Sequence, residues 1–295
     1  FDAVFTHTRM IFSKKKAKRT LNEEFQEYVL DAIDLPERLI DDVLSPYTEA
    51  YLIISSCSYQ ATANAEEVNQ NLKWLNRIDN SDWMPVAMKF LSEKKSDSEY
   101  VAWFFGKLER LAAYMHAASK DVNQRIYRYA ELLEEMERRP SHDLSAPLTA
   151  IELRDDEKAE FIDVLNGEVY KKTARKRNYI VLRLDSFVSD GAATYDSKVL
   201  TIEHVLPQTV SEGSEWDTVW PDKAVRTSWL NRIANLVPLS RQKNSQAQNY
   251  DFAVKKEKYF SSKAGVSSFA LTTEVLQADA WTPESIERRQ ERLLE

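Results

Sequence analysis

Apolar positions recur at helical spacing through the first half of the chain. Leu21, Phe25, Tyr28, Val29 and Ala32 fall on one face of a predicted helix that ends before Pro36. Leu39, Ile40, Val43 and Leu44 begin a second stripe, and the dense apolar run over 47–57 predicts a buried helix. Val68, Leu72 and Leu75 predict a helix over 65–78. Phe104, Leu108, Leu111 and Met115 mark a long amphipathic helix, and 126–136 another. Pro140 and Pro147 bracket an expected loop over 139–149. A further helix is expected over 155–170, where the composition turns from acidic to basic. These stripes read as core packing and carry no chemistry.

From Val199 the pattern changes. Residues 199–208 are β-prone and stop at a proline, and a second short apolar run follows at Leu236, Val237, Pro238 and Leu239. Residues 241–260 then read as a helix, with Ser240 as its expected N-cap. Strand, loop, strand, helix is the order of a ββα unit. The expected fold is therefore mainly α: a helical domain over 1–165, followed by an α+β domain over 166–295. Glu203 and His204 sit together at the end of the first strand, where neighbours face opposite sides. Asn235 opens the second strand, and Asn244 follows with eight residues between them, in the first turns of the helix. Trp216, Trp220 and Trp229 fall between the strands, and core packing is their expected role. His7, His116 and His142 read as structural or loop residues.

Composition narrows the class. A length of 295 residues suits one large or two ordinary domains, and only five glycines favour helices over a turn-rich all-β fold. The net charge of -7 neither suggests nor excludes a nucleic-acid partner, because a local basic face suffices. Two such clusters exist: Lys14, Lys15, Lys16, Lys18 and Arg19, then Lys171, Lys172, Arg175, Lys176 and Arg177. The second precedes the β-prone stretch and is the stronger candidate. Cys57 is the only cysteine, which excludes an intrachain disulfide or a thiolate metal site and suits a reducing cytoplasm. No apolar run spans a bilayer and no signal peptide is visible. A start at Phe1 rather than Met is expected of a piece of a longer chain.

The stretch Ile202-Glu203-His204-Val205-Leu206-Pro207-Gln208 resembles the first motif of HNH (ββα-metal) endonucleases, and Asn235-Leu236-Val237-Pro238-Leu239 resembles their second. The spacing to Asn244 matches the family's third position, with Asn in place of the usual His. More closely, the region from about Lys171 to Glu295 resembles the C-terminal nuclease domain of GmrSD-like type IV restriction and phage-defence proteins. Lys243-Asn244, Asn249-Tyr250-Asp251-Phe252, Lys255-Lys256 and Trp281-Thr282-Pro283 add to the match.

The resemblance implies a metal-dependent DNA endonuclease that restricts foreign or phage DNA and leaves 5′-phosphate and 3′-hydroxyl ends. His204 is then the general base acting on water, and Glu203 and Asn244 hold Mg²⁺ or Mn²⁺. Asn235 orients His204 or braces the loop, and Asn249 is a substitute metal ligand. Arg175, Arg177, Arg241, Lys243, Lys255 and Lys256 are expected to track the phosphates of double-stranded DNA. Such proteins often carry an upstream nucleotide-hydrolysing sensor domain, and the helical half would link it to the nuclease or restrain the nuclease. The physical demands agree. Phosphodiester hydrolysis needs an activated water, which a neutral imidazole of pKa about 6.5 provides. It also needs charge neutralised on the phosphoryl and leaving oxygens, which a divalent cation provides. The alternatives are a catalytically silent HNH-like DNA-binding module and an RNA-cleaving nuclease.

Overall fold

A computed structural model describes residues 1–139, 147–189, 195, 200–240, 249–260 and 269–295. The described residues are mainly helical, and the chain divides into two compact units, Phe1–Lys158 and Ala159–Glu295. None of the described helices is long and apolar enough to cross a membrane.

Among the described residues the regular elements of the first unit are all helices: α1 (Asp2–Ser13), α2 (Leu21–Phe25), α3 (Pro36–Arg38), α4 (Ser45–Ser56), α5 (Ala65–Leu75), α6 (Met84–Lys94), α7 (Ser98–Ala117) and α8 (Val122–Arg138). Two π-helical turns, Gln26–Leu30 and Leu39–Leu44, continue α2 and α3. Local sequence sets several starts. Asp97 accepts from the Tyr100 amide at the head of α7, and Asp121 and Gln124 form a capping box at α8. The predicted stripes meet where α5 packs on α7, and Leu72, Leu75, Phe104, Leu108 and Leu111 are wholly buried. Phe90 of α6 stacks on Phe104 with ring centroids 3.6 Å apart. The run at 47–57 is buried on one face only: Tyr47, Ala50 and Ile54 face inward while Leu52 is exposed.

His7 of α1 is buried near Tyr51, and burial pushes its imidazole down to about 4 against the pull of Asp82. The unfolded chain therefore binds a proton at a higher pH than the folded one. Stability from this group is complete above the ordinary histidine value of about 6.5 and is lost as pH falls toward about 4. At 1.36 kcal/mol per pH unit the loss is about 3 kcal/mol. The expected result in urea unfolding of the first unit is a midpoint that drops between pH 6.5 and 4 in wild type and drops less in His7→Gln. Equal drops in both would assign the acid sensitivity elsewhere.

Helix α9 (Asp155–Asn166) leads into the second unit. It stops at Gly167, short of the expected residue 170, and Val169–Lys171 forms a separate 3₁₀ turn. There follow α10 (Ala174–Val188), β1 (Leu200–His204), α11 (Glu215–Val219), α12 (Lys223–Leu230), β2 (Leu236–Ser240), α13 (Phe252–Phe260), α14 (Ala270–Gln277) and α15 (Pro283–Leu294). The strands pair antiparallel, Leu200 opposite Ser240 and His204 opposite Leu236. Alternation along β1 buries Leu200, Ile202 and His204 and leaves Thr201 and Glu203 partly exposed, as opposite-facing neighbours require.

Trp216 and Trp220 fill the core beside Val237, Phe252 and Trp281, and Trp229 packs at its edge. The indole N–H of Trp220 reaches the Trp281 carbonyl at 2.7 Å and that of Trp216 the Tyr250 carbonyl at 2.9 Å, so each of these buried indoles keeps a partner. The continuous helix expected over 241–260 is corrected. Residues 249–251 are not helical, and α13 starts only at Phe252. The cause is a long-range tie: Trp216 donates to the Tyr250 carbonyl and Glu215 accepts from the Phe252 amide. Ser240, expected as that helix's N-cap, is the last residue of β2. Helix α15 clamps the turn before β2. Arg289 donates to the Ala234 carbonyl and Gln290 accepts from the Ala234 amide.

Candidate active site

The end of β1 and the turn before β2 carry three of the predicted residues, Glu203, His204 and Asn235. After His204 the chain is held to the Ile233–Asn235 turn by Val205 N donating to Asn235 O at 2.9 Å. The wholly buried Asn235 side chain saturates this junction. Its Oδ1 accepts from Leu206 N (2.7 Å) and from the Trp281 indole (3.2 Å). Its Nδ2 donates to the carbonyls of Leu206 (3.1 Å) and Leu230 (2.9 Å). Of the two roles expected of it, the loop brace is the one this geometry serves, since all four bonds go to the framework.

The neighbour of the His204 ring is instead Asn231, which spacing did not single out. His204 Nε2 lies 3.4 Å from Asn231 Oδ1, and Asn231 Nδ2 donates to Glu168 at 3.2 Å. Glu168 is also paired with Lys171 at 2.9 Å. The Val169–Lys171 turn closes over the imidazole: the Tyr170 ring lies 4.0 Å from it, and Tyr170 N donates to Asn231 O at 3.0 Å. The Arg177 guanidinium lies 4.2 Å from the centre of the Tyr170 ring and donates to the Tyr170 carbonyl. Burial pushes the His204 imidazole down to about 4, helped by the positive charges of Lys255 and Arg177 and opposed by Asn231. The ring is therefore neutral at physiological pH, the form in which it accepts a proton.

Glu203 faces the other side of the strand and meets Lys255 of α13. The ammonium donates to Glu203 Oε1 at 3.2 Å and to the His204 carbonyl at 2.7 Å. Burial raises the Glu203 carboxyl above its ordinary range and lowers the lysine, while their mutual attraction opposes both shifts. The expectation that Lys255 tracks phosphates is corrected here. Its side chain is wholly buried, so no solvent-borne phosphate reaches it.

The other expected phosphate contacts divide. Arg175 is exposed, and Arg177 is half-buried against Tyr170. Lys256 spends its ammonium on the Ala278 carbonyl at 2.7 Å. Arg241, Lys243 and the expected metal ligand Asn244 lie outside the described residues. Asn249, the substitute ligand, is exposed in a turn that precedes α13. Next to Glu168 an open cleft of about 730 Å³ is lined by Lys223, Thr227, Ser228 and Arg232. These two cations were not flagged by the sequence, because they sit in the loop between the strands and not in a basic run.

Oxygen donors of this kind suit a hard divalent cation. Among the described residues no three His, Cys, Asp or Glu side chains gather as a metal cluster. Of the two expected ligands only Glu203 lies among the described residues, and its Oε1 accepts from Lys255 at 3.2 Å.

No curated protein matches the chain. One family does, from residue 155 onward, which takes in Glu168 and Tyr170 as well as the strand pair. Residues 155–295 match the family described as the C-terminal domain of the GmrSD restriction endonucleases.

Proposed function

We propose that the second unit is an HNH-type, metal-dependent DNA endonuclease that hydrolyses phosphodiester bonds in foreign DNA, with His204 as its general base. The observation that carries this reading is the His204 ring itself. It is a neutral imidazole, held by side-chain contacts on two elements, at the end of a strand paired to the Asn235 turn, in a domain of restriction endonuclease type.

In this reading His204 takes the proton of the attacking water. Asn235 keeps the chain at 205–206 from moving relative to β2, so the imidazole does not drift from its reacting position. Glu203 and Asn244 would hold Mg²⁺ or Mn²⁺, and Lys255, donating to Glu203 Oε1, aims that carboxyl and opposes the rise that burial imposes on it. The cation, when bound, neutralises charge on the phosphoryl and leaving oxygens. Arg175 and the cleft cations Lys223 and Arg232 offer phosphate contacts, which position the duplex without reading its sequence. Choice of target would come from an upstream nucleotide-hydrolysing domain of the same polypeptide, with the first unit as connector or restraint.

The test is conversion of supercoiled plasmid to nicked or linear form by the purified chain. Cutting is expected with Mg²⁺ or Mn²⁺ and absent with EDTA. Cutting that persists in EDTA would remove the metal-dependent mechanism, and cleavage of RNA in place of duplex DNA would change the substrate.

A further inference from the structure

Three groups on three different segments meet in one line: His204 at the end of β1, Asn231 after α12, and Glu168 after α9. Their chemistry orders the protons along that line. Glu168 is ionised at neutral pH, and Lys171 at 2.9 Å holds it so; a carboxylate only accepts hydrogen bonds. The group that Asn231 turns toward Glu168 must therefore be its donor, Nδ2, at 3.2 Å. That choice fixes the other end of the amide. Its Oδ1, which only accepts, faces His204 Nε2 at 3.4 Å. Tyr170 N donating to the Asn231 carbonyl anchors the same residue through its backbone, so the amide has little freedom to turn away. Asn231 is itself buried, 8% exposed, so water does not readily replace either partner.

We propose that Asn231, oriented by Glu168, is a positioning residue that holds His204 as the Nε2–H tautomer and thereby leaves Nδ1 as the atom that accepts the proton. The inference rests on the reading of His204 as general base. It adds which nitrogen acts and which side chains decide it. A neutral imidazole has one donor and one acceptor nitrogen, and the hydrogen bond at one sets the role of the other. Without the Glu168–Asn231 line, both tautomers compete and a share of the molecules presents N–H to the attacking water.

The test uses the whole chain labelled with ¹⁵N-histidine, its four histidines distinguished with a His204→Gln variant. Long-range ¹H–¹⁵N spectra at neutral pH are expected to show His204 as the Nε2–H form in wild type and as a mixture in Asn231→Leu. Plasmid nicking by Asn231→Leu is expected to fall about 10- to 100-fold in kcat with KM little changed. The Asn231→Asp, Glu168→Gln double variant restores the order of donors. The amide introduced at position 168 donates to the carboxylate introduced at position 231, and that carboxylate accepts from His204. This variant is expected to regain the Nε2–H pattern and most of kcat, which a merely structural role would not predict. Wild-type His204 found as the Nδ1–H form overturns the proposal however any variant folds. So does Asn231→Leu that keeps both the Nε2–H pattern and full kcat. His204→Ala that still cuts would instead overturn the base assignment, whichever tautomer is seen.

Discussion

Truncating Asn235 to alanine is expected to lower the unfolding free energy of the second unit by about 4 kcal/mol, a loss at the high end for one substitution. The amide makes four hydrogen bonds in a buried setting, two as acceptor and two as donor. Alanine keeps none of them. It leaves Leu206 N, the Trp281 indole and the carbonyls of Leu206 and Leu230 without their side-chain partner, each in a buried or half-buried setting. An orphaned buried polar group costs about 1–3 kcal/mol, so even partial relaxation leaves a large sum. Urea unfolding followed by tryptophan fluorescence would measure it, because Trp216, Trp220 and Trp281 all lie in this core. Asn235→Asp is a sharper companion: it keeps acceptor oxygens but loses both donors and buries a charge, so it should be no more stable than the alanine variant. A loss below about 1 kcal/mol in the alanine variant would mean the junction is held by Val205 N and the strand pairing alone.

The strand pair and the placement of Glu203, His204 and Asn235 were legible because each depends on short-range pattern. Alternation along 200–204 decides which side each residue faces, and a strand end is a local feature. The helical stripes of the first unit were legible for the same reason. What the pattern missed depends on contacts distant in sequence. Asn231 and Glu168 lie 63 residues apart and meet only because the Val169–Lys171 turn folds onto the segment after α12. No spacing in the chain announces that. Lys255 was read as a surface cation because lysines are rarely wholly buried. Its burial follows from α13 laying it against Glu203 and the His204 carbonyl. The break at 249–251 is similar: helical periodicity carries across it, but Trp216 and Glu215 hold the backbone at Tyr250 and Phe252 to a different element.

The second large effect concerns chemistry and not stability. Replacing His204 removes the neutral imidazole that the site holds at the end of β1, with Asn231 beside one nitrogen and Tyr170 against the ring. General-base catalysis of this kind contributes about 10²- to 10⁴-fold. His204→Ala should therefore cut at roughly 10⁻² to 10⁻⁴ of the wild-type rate or lower, while duplex DNA binding changes little, because the proposal assigns phosphate contacts to other side chains. Stability at neutral pH should fall by about 1–3 kcal/mol, because alanine leaves a void against Tyr170 and the buried Asn231 oxygen without its partner; the fall should be smaller at low pH, where the buried ring of the wild type resists protonation. Glu203→Ala should lose activity by a different route, through weaker metal binding, and added Mn²⁺ at high concentration should recover part of it.

The most direct measurement of the central claim is the initial rate of plasmid nicking with Mn²⁺ by wild type and by His204→Ala, both shown to be folded by their tryptophan emission. The account predicts metal-dependent nicking by the wild type and a loss of at least about 10²-fold in the variant. Equal rates in the two proteins would contradict it and place the cutting chemistry elsewhere in the chain.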